Sequence, residues 1–285
     1  MPKRSRFAEY KDRYPNYKLE LSPEGILFMQ CHTDGGSLVW DWRAHDDMAD
    51  VFADIAGDRE IKVLIHTGTG DNYNANWGLM PDGKPPEQPI YDAMPGVRGL
   101  NKLDEKAWYG RNLITNVLEV DVPMISAVNG PCNIHSEVAL MGDIVLASED
   151  AWFSDASHFP RGMVPGDGQH VIWNFLVGHN RGRYLLLTGK KLSAQEALQW
   201  GAVAEVLPKD KLLDRAWELA YELVKRPALV LRYTRQLFTQ ELKRAFLNEL
   251  GHGLARETYA QQEFFPFGGV MEPLDRPWDQ EPWSR

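Results

Sequence analysis

The sequence predicts an α/β protein whose C-terminal third is helical. Two observations lead to this fold class. Short apolar strands alternate with helical periodicity up to about residue 155, and mostly helical sequence follows Gly168. Strands that alternate with helices are typical of a layered α/β architecture. We expect a core at 1–205, a helical region at 206–263 and a separate tail at 264–285.

Composition and charge limit the kind of protein this is. The 285 residues suffice for a sizeable core, and the hydrophobic fraction of 44% is ordinary for a globular protein. A net charge of -9 disfavours nucleic acid and anionic membranes as partners. Two cysteines, Cys31 and Cys132, indicate a reducing compartment, and the basic N-terminus lacks the apolar run of a secretory signal. We expect a cytoplasmic protein without a membrane span.

The elements of the N-terminal half follow from periodicity and turn residues. Residues 17–32 predict a hairpin whose turn is Ser22-Pro23-Glu24-Gly25. Apolar residues at helical spacing predict a helix over 45–57, and KVLIHTGTG predicts a buried strand. A helix over about 107–119 then leads into the strand PMISAV.

Two segments stand apart from this pattern. Residues 77–106 are rich in Pro, Gly and charge, and they predict either a lid over a site or a tolerated surface insertion. The tail at 264–285 carries aromatic residues between prolines and glycines. It is too apolar for a solvated tail, so we expect it to pack on the domain or on a neighbouring subunit.

The C-terminal helices carry clear end signals. A helix around Arg181–Leu187 is predicted to end at Gly189, and Ser193 with Glu196 forms a capping box that opens a helix ending at Gly201. A short strand over 203–207 and helices over about 209–225 and 227–262 complete the prediction.

The stretch from Val128 to Gln169 holds the residues best suited to chemistry. It places His135 and His158 among short strands and Gly/Pro turns, and Asp167 follows His158 by nine residues. A carboxylate that orients an imidazole also raises its basicity, so His158 and Asp167 predict a water-activating dyad. A metal site formed by the two histidines with Asp155 or Asp167 is the alternative, although such sites usually need three or four protein ligands.

Several longer segments resemble the crotonase (enoyl-CoA hydratase/isomerase) superfamily between about residues 17 and 262. They include VPMISAVNG, EVALMGDIVLASEDAWF and GRYLLLTGKKLSAQEALQWGAVAEVL. Four further segments resemble the 6-oxocamphor hydrolase-like β-diketone hydrolases within it. These are HTDGGSLVWDWRAHDDMA, VNGPCNIHSEV, DASHFPRGMVPGDGQHVIW and LGHGLARETYA.

This resemblance implies a fold, an assembly and a reaction. The fold would be a spiral of ββα units with a helical C-terminal region that forms trimers or dimers of trimers. The reaction would be retro-Claisen hydrolysis of a carbon–carbon bond in a cyclic β-diketone, giving a keto acid without coenzyme A or another cofactor. The tryptophans Trp40, Trp42, Trp77 and Trp173 suggest a large apolar pocket for a bulky or bicyclic substrate.

The chain departs from coenzyme-A-binding crotonases at both usual oxyanion segments. Cys132-Asn133-Ile134-His135 contains no glycine before Glu137, and NYNANWG occupies 72–78. Stabilisation of a thioester enolate in the usual manner is therefore disfavoured, which supports the diketone reaction.

The resemblance also assigns roles to individual residues. It makes His158 the base that activates water and Asp167 the group that orients it. His135 would donate a hydrogen bond to a carbonyl and then to the enolate, and the indole N–H of Trp40 is a second candidate donor. The alternatives are a surface position for His158, a helix-capping histidine at His135 and simple packing of Trp40.

Four more residues complete the candidate site. His45, Trp77 and Glu257 would line it, with Glu257 holding water or relaying a proton; His45 could instead cap a helix, and Glu257 could lie on a solvated face. Glu137 matches the acid/base glutamate of enoyl-CoA hydratases, but we interpret it as structural because His158 occupies its partner position.

Two other functions remain open from the sequence. A coenzyme-A-thioester hydratase or hydrolase would use Glu137, but it needs basic residues for the phosphates, and the run around 72–85 is not basic. A non-catalytic scaffold that acts through the insertion and the aromatic tail is the third possibility.

Overall fold

The structure is a computed structural model that describes residues 6–77, 100–155 and 157–264. Residues 78–99 of the predicted insertion and 265–285 of the tail lie outside the described residues, so the interpretations of both segments stay predictions. The described part is built on a six-stranded sheet. Its strands are β1 Tyr17–Leu21, β2 Ile26–Cys31, β4 Val63–Thr67, β6 Met124–Val128, β7 Ile144–Ser148 and β10 Glu205–Leu207. They lie in the order β1-β2-β4-β6-β7-β10.

The first two strands form the predicted hairpin, and the rest of this sheet is parallel. β1 and β2 pair antiparallel with Tyr17 opposite Cys31, and the turn closes at Gly25, whose φ of 91° is left-handed. Each later pairing, from β2–β4 to β7–β10, is parallel. Two small sheets complete the strands: β3 Val39–Trp40 with β5 Asn76–Trp77, and β8 Trp152–Phe153 with β9 Leu192–Ser193.

The helices connect the strands and cover the main sheet. They are α1 Phe7–Tyr10, α2 Trp42–Gly57, α3 Leu100–Glu119, α4 Ser136–Leu140, α5 Gln169–Val177, α6 His179–Thr188, α7 Ala194–Trp200, α8 Lys209–Val224 and α9 Ala228–Phe264. A 3₁₀ turn at Phe159–Arg161 follows His158. No helix among the described residues is long and apolar enough to cross a membrane.

Both faces of the sheet are buried, as parallel strands require. Alternate residues of β2 show this directly: Ile26 and Phe28 pack in a cluster with Leu212 and Ala216 of α8, whereas Leu27 and Met29 face the larger core. That larger core also contains apolar residues of α2, α3, α5 and α9. The candidate site residues lie within this helical layer and in the loops that enter it.

Two helices begin earlier than the sequence predicts. α2 begins at Trp42 because Asp41 is its N-cap and accepts a hydrogen bond from the Ala44 N–H at 2.8 Å. α3 begins at Leu100, so the last seven residues of the predicted 77–106 loop are helical. The LNKLDEK segment contains good helix formers, and the Pro/Gly-rich composition that suggested a loop belongs to the residues before it.

The predicted ends of α6 and α7 are confirmed. Gly189 and Gly201 are C-caps with φ of 60° and 83°. At the start of α7, the Ser193 side chain accepts from the Glu196 N–H, and the Glu196 carboxylate accepts from the Ser193 N–H, as a capping box requires.

The long helix α9 is fixed to the sheet by two buried arginines. Arg232 donates to the carbonyl oxygen of Ile61 at 2.7 Å, and Arg235 donates to Asp143 Oδ2 at 2.7 Å. Guanidinium groups that are paired in this way can be buried without an unsatisfied charge. These contacts fix the path of α9 toward its C-terminal half, which carries Glu257.

Candidate active site

The candidate site lies where loops from several elements meet the C-terminal half of α9. The loop after β6 leads to His135 at the start of α4, and the segment after β8 carries Asp155 and His158. Asp167 comes two residues before α5. In open α/β folds, ligand sites are commonly built by the loops that follow the carboxyl ends of parallel strands.

His158 is a buried imidazole whose two nitrogens both face carboxylates. Its exposed fraction is 3%, and its Nδ1 lies 2.8 Å from Asp155 Oδ1. The Asp155 oxygen also accepts a hydrogen bond from the Ser157 N–H at 3.2 Å. Because an ionised carboxylate only accepts hydrogen bonds, the contact assigns a proton to Nδ1 of His158.

The opposite nitrogen of His158 faces the remaining acidic side chains. Nε2 lies 3.2 Å from Asp167 Oδ2 and 3.9 Å from Glu257 Oε2. Burial alone would lower the pKa of His158, but Asp155 and Asp167 outweigh it and hold that pKa well above its ordinary value. The imidazole is therefore a strong base surrounded by three carboxylates.

This arrangement changes the prediction for Asp167. The sequence interpretation made Asp167 the group that orients His158, whereas the structure places Asp155 at Nδ1 and Asp167 at Nε2. The physical reason is local: Asp155 is three residues from His158 on the same short segment, whereas Asp167 enters from the far end of the Gly/Pro loop.

Glu257 reaches His158 because two glycines allow α9 to approach the loop. A Cβ atom added to Gly166 would lie 2.2 Å from the carbonyl oxygen of Gly253, and one added to Gly253 would lie 2.3 Å from that of Gly166. Glu257 is one helical turn beyond Gly253 and therefore on the same face. It is 4% exposed, so the alternative of a solvated helix face is wrong.

His135 adopts a left-handed backbone immediately before α4, with φ of 46°. A non-glycine residue there costs on the order of 1–3 kcal/mol and persists only where its surroundings require it. His135 occupies the N-cap position of α4, as the helix-capping alternative expects, but its side chain makes no capping hydrogen bond. Instead, Nδ1 lies 2.5 Å from Glu137 Oε1 and 3.6 Å from Asp167 Oδ2.

The charges around His135 oppose the effect of burial on its pKa. Burial by itself would lower the pKa of His135, but the charge and hydrogen bond of Glu137, helped by Asp167, raise that pKa above its ordinary value. Burial raises the pKa of Glu137. Asp167 also raises it, whereas His135 lowers it. Asp167 therefore lies between the two histidines and couples them.

Trp40 and His45 form a wall beside His135. The ring centroid of Trp40 is 4.9 Å from that of His135, and that of His45 is 5.3 Å from it. Asp41, not His45, caps α2, so the capping alternative for His45 is wrong. Burial lowers the pKa of His45, which favours its neutral form. β5 places Trp77 opposite Trp40, and the Trp77 side chain lies outside the described part.

Two further residues, neither of them part of the dyad predicted from the sequence, belong to this site. Asp155 is fully buried against His158, and Gln169 is fully buried against Glu137. The spacing of Asp155 and His158, which are three residues apart, was an available signal. Nothing in the sequence distinguished Gln169 from other polar residues at helix starts.

The histidines and acidic side chains of this site are also the groups that could hold a cation. His135, Glu137 and Asp167 form one set of three, and His158, Asp167 and Glu257 form another, each with its ligand atoms within 4.8 Å of one another. Asp155 belongs to neither set, because it contacts the nitrogen of His158 that faces away from the other acids.

Solved structures with similar folds include enzymes of two kinds. A β-diketone hydrolase from the cyanobacterium Anabaena, solved with (S)-3-oxocyclohexyl acetic acid bound, is 41% identical with a TM-score of 0.83, covering 90% of this chain and 98% of that one. An enoyl-CoA hydratase from Mycobacterium avium subsp. paratuberculosis is 24% identical with a TM-score of 0.69, covering 92% of each chain, which shows the fold alone.

Sequence comparisons give the family. Carnitinyl-CoA dehydratases of Salmonella paratyphi B and Citrobacter koseri are each 30% identical, over 67% of this chain and 68% and 69% of theirs. The enoyl-CoA hydratase/isomerase family matches residues 41–265. The predicted crotonase-like α/β fold is thereby confirmed, and the chain belongs to the enoyl-CoA hydratase/isomerase family.

Proposed function

We propose that this protein hydrolyses a carbon–carbon bond of a cyclic β-diketone by a retro-Claisen reaction. One water is consumed and one keto acid is formed. The observation that carries the proposal is the buried His158, whose Nδ1 is held by Asp155 and whose Nε2 faces Asp167 and Glu257. An imidazole with a fixed Nδ1 proton presents Nε2 as a base, and a neighbouring carboxylate increases its basicity.

The first step is attack by water. Water bound on the Nε2 side loses a proton to His158 while its oxygen adds to one ketone carbonyl, which gives a tetrahedral oxyanion. Asp155 stabilises the imidazolium that forms, as the carboxylate of a catalytic triad does. Glu257, whose carboxylate is within 3.9 Å of Nε2, helps to hold the water in place.

The second step breaks the carbon–carbon bond. The oxyanion collapses to a carboxylic acid, and the bonding electron pair passes to the second ketone as an enolate. A donor aimed at that oxygen is needed, and His135 beside Trp40 is the group we assign to it. The imidazolium of His158 then returns its proton to the enolate carbon, which completes the keto acid.

The geometry of the segment before Glu137 supports a diketone over a thioester. The backbone N–H groups of Asn133 and Ile134 both donate to the carbonyl oxygen of Asn74, at 3.0 and 3.2 Å. They are therefore already used within the protein. Side chains rather than this pair of N–H groups must stabilise the developing negative charge.

The compound bound to the Anabaena hydrolase supports the same chemistry. The compound, (S)-3-oxocyclohexyl acetic acid, contains one ketone and one carboxylic acid. Rejoining the acid carbon to a carbon beside the ketone, with loss of water, gives a bicyclic 1,3-diketone. Because that hydrolase is 41% identical over 90% of this chain, we infer that the substrate here is also a cyclic, bulky 1,3-diketone.

A coenzyme-A-thioester reaction is the second candidate, favoured by the 30% identity to carnitinyl-CoA dehydratases. It would require Glu137 as the acid/base. Both oxygens of that carboxylate are engaged, one with His135 Nδ1 and one with Gln169 Nε2, each at 2.5 Å. Both oxygens of this glutamate are thus committed to donors within the protein, so we rank this candidate lower.

The test is an assay without coenzyme A on a panel of mono- and bicyclic 1,3-diketones. We expect loss of the diketone with a gain of one water, unaffected by a chelator and abolished by His158→Gln. His252→Gln is the matched control, because His252 lies on the exposed face of α9. Saturable binding of an acyl-CoA together with no turnover of any diketone would overturn the proposal in favour of the thioester reaction.

We also propose that the protein assembles as a homotrimer or a dimer of trimers. Large apolar side chains of α9 are exposed in the single chain: Leu229, Val230, Tyr233, Leu237 and Phe238 are 52–75% exposed. Several of them share one helical face, and exposed apolar patches of this kind mark interaction surfaces. Light scattering should give three or six copies, and a monomeric mass at working concentrations would contradict this.

A further inference from the structure

The orientation of the Gln169 side chain is fixed by a donor that cannot accept. Trp173 Nε1 and Ser136 Oγ both contact one end of the Gln169 amide, each at 3.0 Å. An indole N–H only donates, so the amide atom facing Trp173 must be the oxygen. The amide nitrogen is therefore directed to the other side, where it donates to Glu137 Oε2 at 2.5 Å.

Glu137 links the fixed orientation of the Gln169 amide to the protonation of His135. Burial of this carboxylate raises its pKa, whereas the charge of His135 lowers that pKa and the Gln169 N–H donates to one oxygen of the anion. The other oxygen lies 2.5 Å from His135 Nδ1. Because the carboxylate accepts at both oxygens, Nδ1 of His135 must carry a proton.

His135 is thereby left with one nitrogen for a ligand. Within the described part of the chain no hydrogen bond engages its Nε2, and its ring lies beside those of Trp40 and His45. The left-handed backbone at φ 46° turns the residue at this point, immediately before α4. Strain of this kind is tolerated where a side chain must be held in one position.

We propose that Glu137 and Gln169 are positioning residues that hold His135 as an imidazolium whose Nε2–H donates to the substrate oxygen. This inference rests on the proposed function and deepens it, because it states how the enolate is stabilised. A charge-assisted donor is roughly twice as strong as a neutral one and is best matched to a full negative charge. The family's acid/base glutamate thus acts here through a histidine.

The groups that face His135 come from four parts of the chain. Glu137 of α4 and Asp167 before α5 are acidic, while His158 and His45 of α2 are imidazoles. Attraction to Glu137 and Asp167 outweighs burial and repulsion by His158, which is why the pKa of His135 is raised. His45 does not oppose this, since its own pKa is lowered and its neutral form is favoured.

The test reads the protonation of His135 directly. In protein labelled with ¹⁵N-histidine, the His135 signals are assigned by their loss in His135→Asn. We expect both ring nitrogens to be protonated at pH 7 in the ligand-free protein. In Glu137→Gln, the introduced amide must keep its oxygen on Gln169 and turn its NH₂ toward Nδ1, which can then only accept. The proton should remain on Nε2 alone, and kcat should fall on the order of 100-fold with less change in KM.

A second variant protects the test against simple loss of folding. In the double variant Glu137→Gln with Gln169→Glu, the carboxylate at position 169 accepts from Trp173 and Ser136 at one oxygen. Its other oxygen accepts from the amide NH₂ at position 137, so the amide oxygen at position 137 faces Nδ1 of His135. The proton should then return to Nδ1 with the net charge of the protein unchanged. Tyr73→Phe is the matched control, since it removes another buried hydrogen bond, from Tyr73 to His66 at 2.7 Å, without touching this relay.

The outcomes separate this inference from the proposed function. A neutral His135 at pH 7, or unchanged His135 signals and kcat in Glu137→Gln, would overturn the inference while diketone hydrolysis by the unaltered protein still stood. No hydrolysis of any diketone, with His135 doubly protonated, would overturn the function and leave only the hydrogen-bond relay.

Discussion

Asp155 and His158 form the shortest contact made by the proposed base, with Oδ1 of the carboxylate 2.8 Å from Nδ1 of the ring. The contact gives the two ring nitrogens different roles, because Nδ1 must carry a proton and Nε2 faces Asp167 and Glu257. In the proposed reaction, Asp155 therefore acts through His158, whereas Asp167 and Glu257 lie on the side assigned to water and substrate.

The first prediction concerns Asp155→Asn. An amide in place of the carboxylate weakens the anchor on Nδ1 and allows the wrong tautomer, so kcat should fall by about 10³- to 10⁴-fold. The measurement is the rate of diketone hydrolysis with folding checked by circular dichroism. Asp150→Asn is the control, because Asp150 is a half-exposed carboxylate paired with Lys209 and should leave kcat unchanged. A fall of less than tenfold in Asp155→Asn would contradict the role of Asp155 as the anchor of Nδ1.

The second prediction is the direction of the pH dependence. Asp155 and Asp167 outweigh burial and raise the pKa of His158, so the base is protonated at neutral pH in the free protein. We expect kcat/KM to rise with pH through an apparent pKa above ~6.5. Asp155→Asn should move this limb to lower pH, since one of the charges that raises the pKa of His158 is removed. A profile that is flat from pH 6 to 9 would contradict the assignment of His158 as the base.

Local signals in the sequence predicted local structure well. The capping box at Ser193 and Glu196 and the hairpin turn at Gly25 depend only on residues within a few positions of each other. The start of α3 at Leu100 was missed because the composition of a long Pro/Gly-rich stretch concealed the helix formers at its end.

The sequence named several of the side chains that the structure brings together, but it could not give their geometry. The spacing of Asp155, His158 and Asp167 cannot tell which carboxylate meets which ring nitrogen, because that depends on the path of the loop between them. The donor relay through Gln169 likewise depends on Trp173, whose N–H direction is set by helix packing. Recognition of these contacts requires the three-dimensional arrangement of α4 and α5.

The third prediction concerns stability and a histidine outside the site. Burial, helped by Arg235, lowers the pKa of His66 to about 3. Ser126 Oγ donates to the Ala139 carbonyl, so it accepts from His66 Nε2, while Tyr73 donates to Nδ1. The folded protein thus holds His66 neutral. The contribution of neutral His66 to the free energy of unfolding is complete above pH ~6.5. It is lost as pH falls toward 3, because in this range only the unfolded chain takes up the proton.

The measurement is the free energy of unfolding in urea at pH 7 and pH 5. His66 should account for a loss of about 2 kcal/mol between them, at roughly 1.4 kcal/mol per pH unit below 6.5. His66→Gln keeps a donor and an acceptor but does not titrate. The free energy of unfolding of this variant should therefore fall by about 2 kcal/mol less between pH 7 and pH 5 than that of the unaltered protein. Equal pH dependence in both proteins would mean that His66 is protonated in the folded state.

The fourth prediction tests the approach of α9 to the site. In Gly253→Ala, the new Cβ would lie 2.3 Å from the Gly166 carbonyl oxygen, so the helix and the loop must separate. That separation should cost about 1–3 kcal/mol of stability and move Glu257 away from His158, lowering kcat. Gly251→Ala, on the same helix, meets nothing within 4 Å and should stabilise the protein by about 1 kcal/mol with kcat unchanged. If Gly253→Ala loses stability but keeps full kcat, Glu257 does not hold the nucleophilic water, and the carboxylates of Asp155 and Asp167 must support His158 without it.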